Sequence, residues 1–177
     1  MIALIAIVVV AAVVLLVPLR WPDALVGGRI VEGIDIDAGA EDLFDYVATP
    51  VNWMEWHPAS RGVSGVVQRP LALGDKVVET FEIAGRRGET TWTMTALDRP
   101  RSWRIEAHNE GGRGGAEIAY SIVTRERGVH FERDIRYRGP NLLFGIVNAL
   151  KIRAAMRSDS AQALMNIKQR LESRRRA

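Results

Sequence analysis

Two charged residues of this sequence fall at positions where a charge is costly. Glu79 shares its strand phase with Val77, Phe81 and Ile83, and Arg133 shares its phase with Val129, Phe131, Ile135 and Tyr137. Period-two alternation therefore turns both charges toward an apolar face. A charge taken out of water must be paired, hydrogen-bonded or hydrated to persist there. The expectation is that both side chains line a cavity, as a pair or around the polar end of a ligand. The alternative is a β-bulge that flips the phase and returns both to solvent. Tyr120 and Tyr137 could add hydroxyls to the same interior.

Trp53, Trp56 and His57 form a second constellation, stopped by Pro58. Residues three apart share a helical face. The tryptophans can gate a cavity mouth with His57 as acid or base, or they can simply pack short helices onto a sheet. No second catalytic partner is adjacent in sequence, so catalytic residues stay unassigned. His57, His108 and His130 are scattered and do not form a metal-ligand spacing. There is no cysteine, which excludes disulfides, thiolate sites and a cysteine nucleophile. The run Gly111-Gly112-Arg113-Gly114-Gly115 lacks the lysine and hydroxyl residue of a phosphate loop. No metal and no cofactor are expected.

These residues need elements to hold them. Residues 30–36 read as a first strand, followed by short helices at 40–48 and 51–56. Strands follow at 62–68, 74–83, 89–97, 102–107, 116–124 and 129–137, joined by turns that make an antiparallel meander. Gly139-Pro140-Asn141 opens a long helix running to about Ser173. Its apolar stripe is Leu143, Val147, Leu150, Ala154, Ala161, Leu164 and Leu171, with Arg157 inside it. The fold class is α+β, with a curved antiparallel sheet of about seven strands around one long C-terminal helix. Strand phase adds Phe81, Trp92, Met94, Trp103, Ile105 and Phe131 to the walls of the enclosed cavity. Leu150 joins them from the closing helix, and Trp53 and Trp56 from the short ones.

The N-terminus is different in kind. From Ile2 to Val17 there is no charged or polar side chain. As a helix this run is about 24 Å long, against a hydrocarbon core of about 30 Å. It has no basic n-region and no small-x-small cleavage site, which argues for an uncleaved anchor over a signal peptide. Residues 1–19 are thus expected to be a transmembrane helix and 20–29 a linker. Residues 30–173 form the domain and 174–177 a basic tail. Arg20 and Arg29 favour a cytoplasmic domain under the positive-inside rule.

The formal charge is +3, but residues 151–177 carry eight basic and two acidic side chains. Such a segment can touch anionic headgroups or form a solvated helix face. No basic-aromatic motif accompanies it, so nucleic acid is not an expected partner.

The element order and several phrases resemble the START-like superfamily, also called SRPBCC, and within it the polyketide cyclase/dehydrase group. The phrases are Ile34-Asp35-Ile36-Asp37-Ala38 with Glu41 to Val47, then Trp53-x-x-Trp56-His57-Pro58, then Leu73-Gly74-Asp75. Next come Trp92-x-Met94-x-x-Leu97-x-x-Pro100, and last Met156 to Asp159 with Ala163, Leu164 and Ile167. Each is weak alone; their order is more specific. The resemblance implies a helix-grip fold with a hydrophobic cavity, and does not imply one activity. The leading expectation is a membrane-anchored protein binding a hydrophobic small molecule or lipid. The alternatives are a cyclase- or aromatase-like enzyme using the polar cavity residues, or an adaptor whose cavity is filled by Trp92, Trp103 and Phe131.

Overall fold

The computed structural model describes residues 2–16, 21–108 and 114–176. Helix α1 (Ile2–Leu16) precedes a short α2 (Asp23–Val26) and strand β1 (Gly27–Ile36). Helices α3 (Ala40–Ala48) and α4 (Trp53–Trp56) are joined through a 3-10 turn at Pro50–Asn52. Six strands follow: β2 (Ser60–Gly65), β3 (Lys76–Ile83), β4 (Arg86–Asp98), β5 (Ser102–His108), β6 (Gly115–Thr124) and β7 (Val129–Arg138). The chain closes with α5 (Leu142–Val147), a π-helical stretch at Asn148–Ile152, and α6 (Arg153–Arg176).

The seven strands form one antiparallel sheet in the order β1-β7-β6-β5-β4-β3-β2. Each interior strand alternates buried and open positions. β7 buries Val129, Phe131, Arg133, Ile135 and Tyr137 on one face. α6 covers that face with Ala163, Leu164, Ile167 and Leu171. A sheet with one apolar face gripping one long helix is the expected α+β helix-grip architecture.

Four expected features depart from the described structure or reach beyond it. First, α1 spans 15 residues, about 22 Å at ~1.5 Å per residue, short of a hydrocarbon core of about 30 Å. Among the described residues no helix is long and apolar enough to cross a membrane. Val17, Pro18 and Leu19, which complete the expected span, lie outside the described residues. Second, residues 23–29 are not a free linker: α2 occupies Asp23–Val26 and β1 begins at Gly27, pairing with Arg138.

Third, the closing helix is not continuous. Buried Asn148 donates to the Gly27 carbonyl at 3.1 Å and accepts from the Tyr137 hydroxyl at 2.8 Å. Satisfying that side chain at this place goes with a π-helical turn, which advances the helix phase. The expected apolar stripe is not one buried face: Leu143 before the turn is 42 % exposed and Leu150 within it 74 %, Ala154, Arg157 and Ala161 also face outward, and Leu164 and Leu171 are buried. Fourth, residues 174–176 of the expected basic tail continue α6. The Arg174 guanidinium lies 5.1 Å from the Tyr46 ring centroid, and Arg175 pairs with Asp37.

The β6–β7 turn shows where only glycine fits. Gly128 has φ +75°, and an added Cβ would sit 2.0 Å from the Ile36 carbonyl oxygen. Gly128→Ala is therefore expected to cost at least about 1 kcal/mol from backbone conformation alone, with the clash adding to it. Urea denaturation checks this; an unchanged midpoint would contradict it.

Candidate functional site

Between the sheet and the α5–α6 arm lies a cavity of about 400 Å³. Its apolar wall includes Phe81, Ile83, Trp92, Ala107, Ile118, Ile135, Phe144, Ile152 and Met156. Its polar groups include buried Glu79, Arg133 and Tyr137, with His57 and Asp159, and toward solvent Arg86, Arg87, Glu89, Thr90 and Arg138. The volume falls in the range of small-molecule sites, which are mostly apolar with a few placed polar groups. Two other concavities, of about 560 and 850 Å³, are lined largely by charged and small residues and make poor homes for an apolar ligand.

Strand phase brings Glu79 and Arg133 to this interior, and their exposures are 4 % and 1 %. They do not pair with each other, one of the two arrangements expected. The Glu79 Oε2 accepts from the Trp92 indole N–H at 2.8 Å, and its Oε1 is 3.8 Å from His57 Nδ1. Burial pushes the Glu79 carboxyl up, but the His57 imidazole, the Ser60 hydroxyl and the Trp92 N–H together hold it below its ordinary value. The carboxylate is therefore the resident form.

Arg133 is held differently. β6 pairs Tyr120 directly opposite it. Its guanidinium carbon lies 5.2 Å from the Trp56 ring centroid and 5.7 Å from that of Tyr120. Cation–π contact of this kind partly compensates a desolvated cation. Yet its Nε and Nη1 are buried without a hydrogen-bond partner, and it has no carboxylate in ion-pair range among the described residues.

Trp53 and Trp56 are buried core residues. The Trp53 indole donates to the Val47 carbonyl at 2.9 Å, and Asn166 of α6 donates to the Trp56 carbonyl at 3.1 Å. They clamp α4 under α6, the packing alternative rather than a gate. Trp103, Tyr120 and Phe131 form a face-to-face stack with centroids 4.7 to 6.1 Å apart, and Phe44 meets Trp103 edge-on at 5.0 Å. Met94 and Ile105 lie in the same core. This stack fills one end of the grip and leaves the other open, so the interior is not wholly filled. Of the aromatic residues anticipated as walls, Phe81, Trp92 and Tyr137 line the cavity. Leu150 does not, because of the π-helical turn.

Sequence reasoning put Ile135 on the face of Arg133 without naming it as a cavity wall, and passed over Ile118, Phe144, Met156 and Asn148. Ile118 shares the alternation that found Tyr120, so that signal was present. Asn148 gave none, because its partners lie on β1 and β7. No group of three His, Asp or Glu side chains among the described residues could hold a metal ion.

The three tyrosines of the chain report on the packing of the fold. Burial is the main cause that pushes Tyr46, Tyr120 and Tyr137 above the ordinary phenol value, and Tyr46, next to Glu55, reaches about 12. Free tyrosine ionises near pH 10. A raised folded-state value means this contribution to stability is full below about pH 10 and is lost as pH rises above it. Alkaline difference spectra should show no phenolate near pH 10 until the fold melts. Three phenolates appearing there in folded protein would contradict the packing.

The comparisons with known proteins agree with this geometry. A major latex-like protein 151 from Panax ginseng superposes with a TM-score of 0.62 at 12 % identity, covering 82 % of this chain and 98 % of that one. The Aha1 protein from Colwellia psychrerythraea gives 0.58 at 18 % identity, covering 82 % and 96 %. A Mycobacterium smegmatis protein gives 0.58 at 17 % identity, covering 85 % and 93 %. At these identities the likeness shows the fold alone. Among curated proteins none matches the chain by sequence. Residues 28–172, which carry the whole sheet and nearly all of the closing helix, match the family described as polyketide cyclase/dehydrase and lipid transport, and the chain belongs to that family, in the START-like group its element order resembles.

Proposed function

We propose that this protein binds a hydrophobic small molecule or lipid in the cavity under the α5–α6 arm, at a membrane surface. One observation carries the binding part: a mostly apolar cavity of about 400 Å³ that holds the buried Glu79 and Arg133. Folded cores rarely leave such space unused. The family description, which includes lipid transport, supports the same reading.

The membrane part rests on exposed apolar surface. Ile5, Ile7, Val8, Val9 and Val10 of α1 are open, as are Leu25, Leu143, Ile146 and Leu150. α1 approaches α5. The segment 142–156 supplies exposed Leu143, Ile146 and Leu150 as well as cavity residues Phe144, Ile152 and Met156. A lipid surface would cover this patch and lie near the cavity rim. α1 need not span the bilayer for this.

The binding reading is tested by equilibrium retention of radiolabelled dodecanol or dodecanoate on the full chain in nanodiscs, against empty nanodiscs. Saturable, one-to-one retention of either supports it. Retention no greater than the empty disc overturns it. The membrane reading is tested by flotation with phosphatidylcholine liposomes. The full chain is expected to float. The variant V8D/V10D should lose most of that, because each aspartate in hydrocarbon costs about 2.5–3.5 kcal/mol. Equal flotation of the two would refute a role for α1.

A second reading has its own observation. His57 lies beside buried Glu79 in the cavity that also holds Arg133. A carboxylate beside an imidazole suits acid–base work on a bound carbonyl compound. That reading predicts His57-dependent deuterium exchange next to the carbonyl of bound 2-dodecanone. Exchange unchanged in His57→Gln excludes it.

A further inference from the structure

The guanidinium of Arg133 is the least satisfied charged group in the described interior. It is 1 % exposed, it lines the cavity, and two of its donor nitrogens have no partner. Its neighbours are aromatic faces rather than a carboxylate. Glu79, the nearest candidate counter-ion by strand phase, is engaged by Trp92 and His57. A guanidinium cannot shed its proton to escape burial. Something must satisfy it, and the cavity provides the room.

We infer that the ligand is an amphipathic monoanion, an organic carboxylate, whose head meets Arg133 while its apolar part lies along Ile118, Ile135, Phe144 and Met156. The inference rests on the binding function proposed above and names the ligand's chemical class. A guanidinium suits a planar carboxylate, which it can hold through two parallel N–H donors. A single negative charge fits better than two. Among the described residues Arg133 is the one buried arginine of the cavity, and the buried Glu79 carboxylate in the same cavity repels a further negative charge. Arg86, Arg87 and Arg138 line the cavity from exposed or half-buried positions, and the last two pair with Glu82 and Asp23. A phosphate monoester is therefore the poorer head group. The Trp56 and Tyr120 rings fix the guanidinium in place, so little side-chain freedom remains to be lost when the anion docks.

The experiment compares dodecanoate, dodecanol and dodecyl phosphate as competitors of radiolabelled dodecanoate on the full chain in nanodiscs. All three share one tail, so the head group alone varies. Dodecanoate should compete about ten- to a hundredfold better than dodecanol, the range expected of one charge-assisted hydrogen-bond site, and better than dodecyl phosphate. R133M should lose the preference for dodecanoate over dodecanol and still retain dodecanol. R133K keeps the charge without the planar fork and should fall between. Dodecanoate and dodecanol competing equally on the wild-type chain would overturn the inference and leave the cavity function standing. A preference for dodecyl phosphate would overturn the carboxylate assignment. If neither dodecanol nor dodecanoate is retained, the binding function itself fails. The wild-type comparison decides the matter even if R133M does not fold.

Discussion

Trp103→Ala is expected to lower stability by about 3–5 kcal/mol, the range for removing a buried large aromatic side chain. Trp103 is 3 % exposed and touches three aromatic neighbours. It stacks on Tyr120 at 4.7 Å with ring planes 12° apart, and takes Phe44 of α3 edge-on. Its loss leaves a void between α3 and the sheet, where rigid strands on both sides limit collapse. It also frees Tyr120, one of the two rings against Arg133. Trp103→Phe should lose less, since a ring remains to stack. Urea denaturation followed by far-ultraviolet circular dichroism measures both. A loss under about 1 kcal/mol for the alanine variant would mean the site collapses freely and the stack is not the rigid end of the grip.

Arg133→Met is expected to act in the opposite direction on the ligand-free protein, raising its stability by about 1–2 kcal/mol. A buried charge replaced by an apolar side chain of similar volume is often neutral to stabilising. Here the charge has no carboxylate in ion-pair range, and two of its nitrogens lack any hydrogen-bond partner. Against this stand the contacts with Trp56 and Tyr120, each worth about 0.5–2 kcal/mol, which is why the net gain is modest. Thermal melting of the ligand-free chain checks the sign. A loss of 3 kcal/mol or more would identify Arg133 as a structural residue. A gain in stability together with a loss of carboxylate preference would identify a group kept for binding. Glu79→Gln is a useful contrast. Its carboxyl is held below the ordinary value, so its contribution is present above that value and fades as pH falls through the folded-state one. The variant should lose stability at neutral pH and differ less from wild type in acid.

Much of the molecule was legible in the sequence because the signals were local. Alternation set β3, β4, β6 and β7, and it turned Glu79 and Arg133 inward without reference to any other strand. The turn chemistry of Gly139-Pro140-Asn141 marked the start of α5, where the Asn141 side chain caps the Phe144 N–H. The order of elements was enough to expect a helix-grip and a cavity.

What tertiary structure alone decided is which groups meet. Glu79 and Arg133 have the same inward phase, but β3 and β7 are separated by β4, β5 and β6 in the sheet. Glu79 therefore finds Trp92 on the next strand and His57 from the α4 turn, and Arg133 finds Tyr120 and Trp56. The expected stripe took α5 and α6 as one regular helix. Asn148 is drawn to Gly27 and Tyr137, which are remote in sequence, and the π-helical turn there gives the two segments different buried faces: Leu143 and Leu150 are exposed, and Leu164 and Leu171 are buried. Periodicity can say which way a side chain points. It cannot say which partner waits there, because that depends on strand order and helix phase summed over the whole fold. For this protein, periodicity put a charge into an apolar interior, and the tertiary arrangement left that charge without a carboxylate partner.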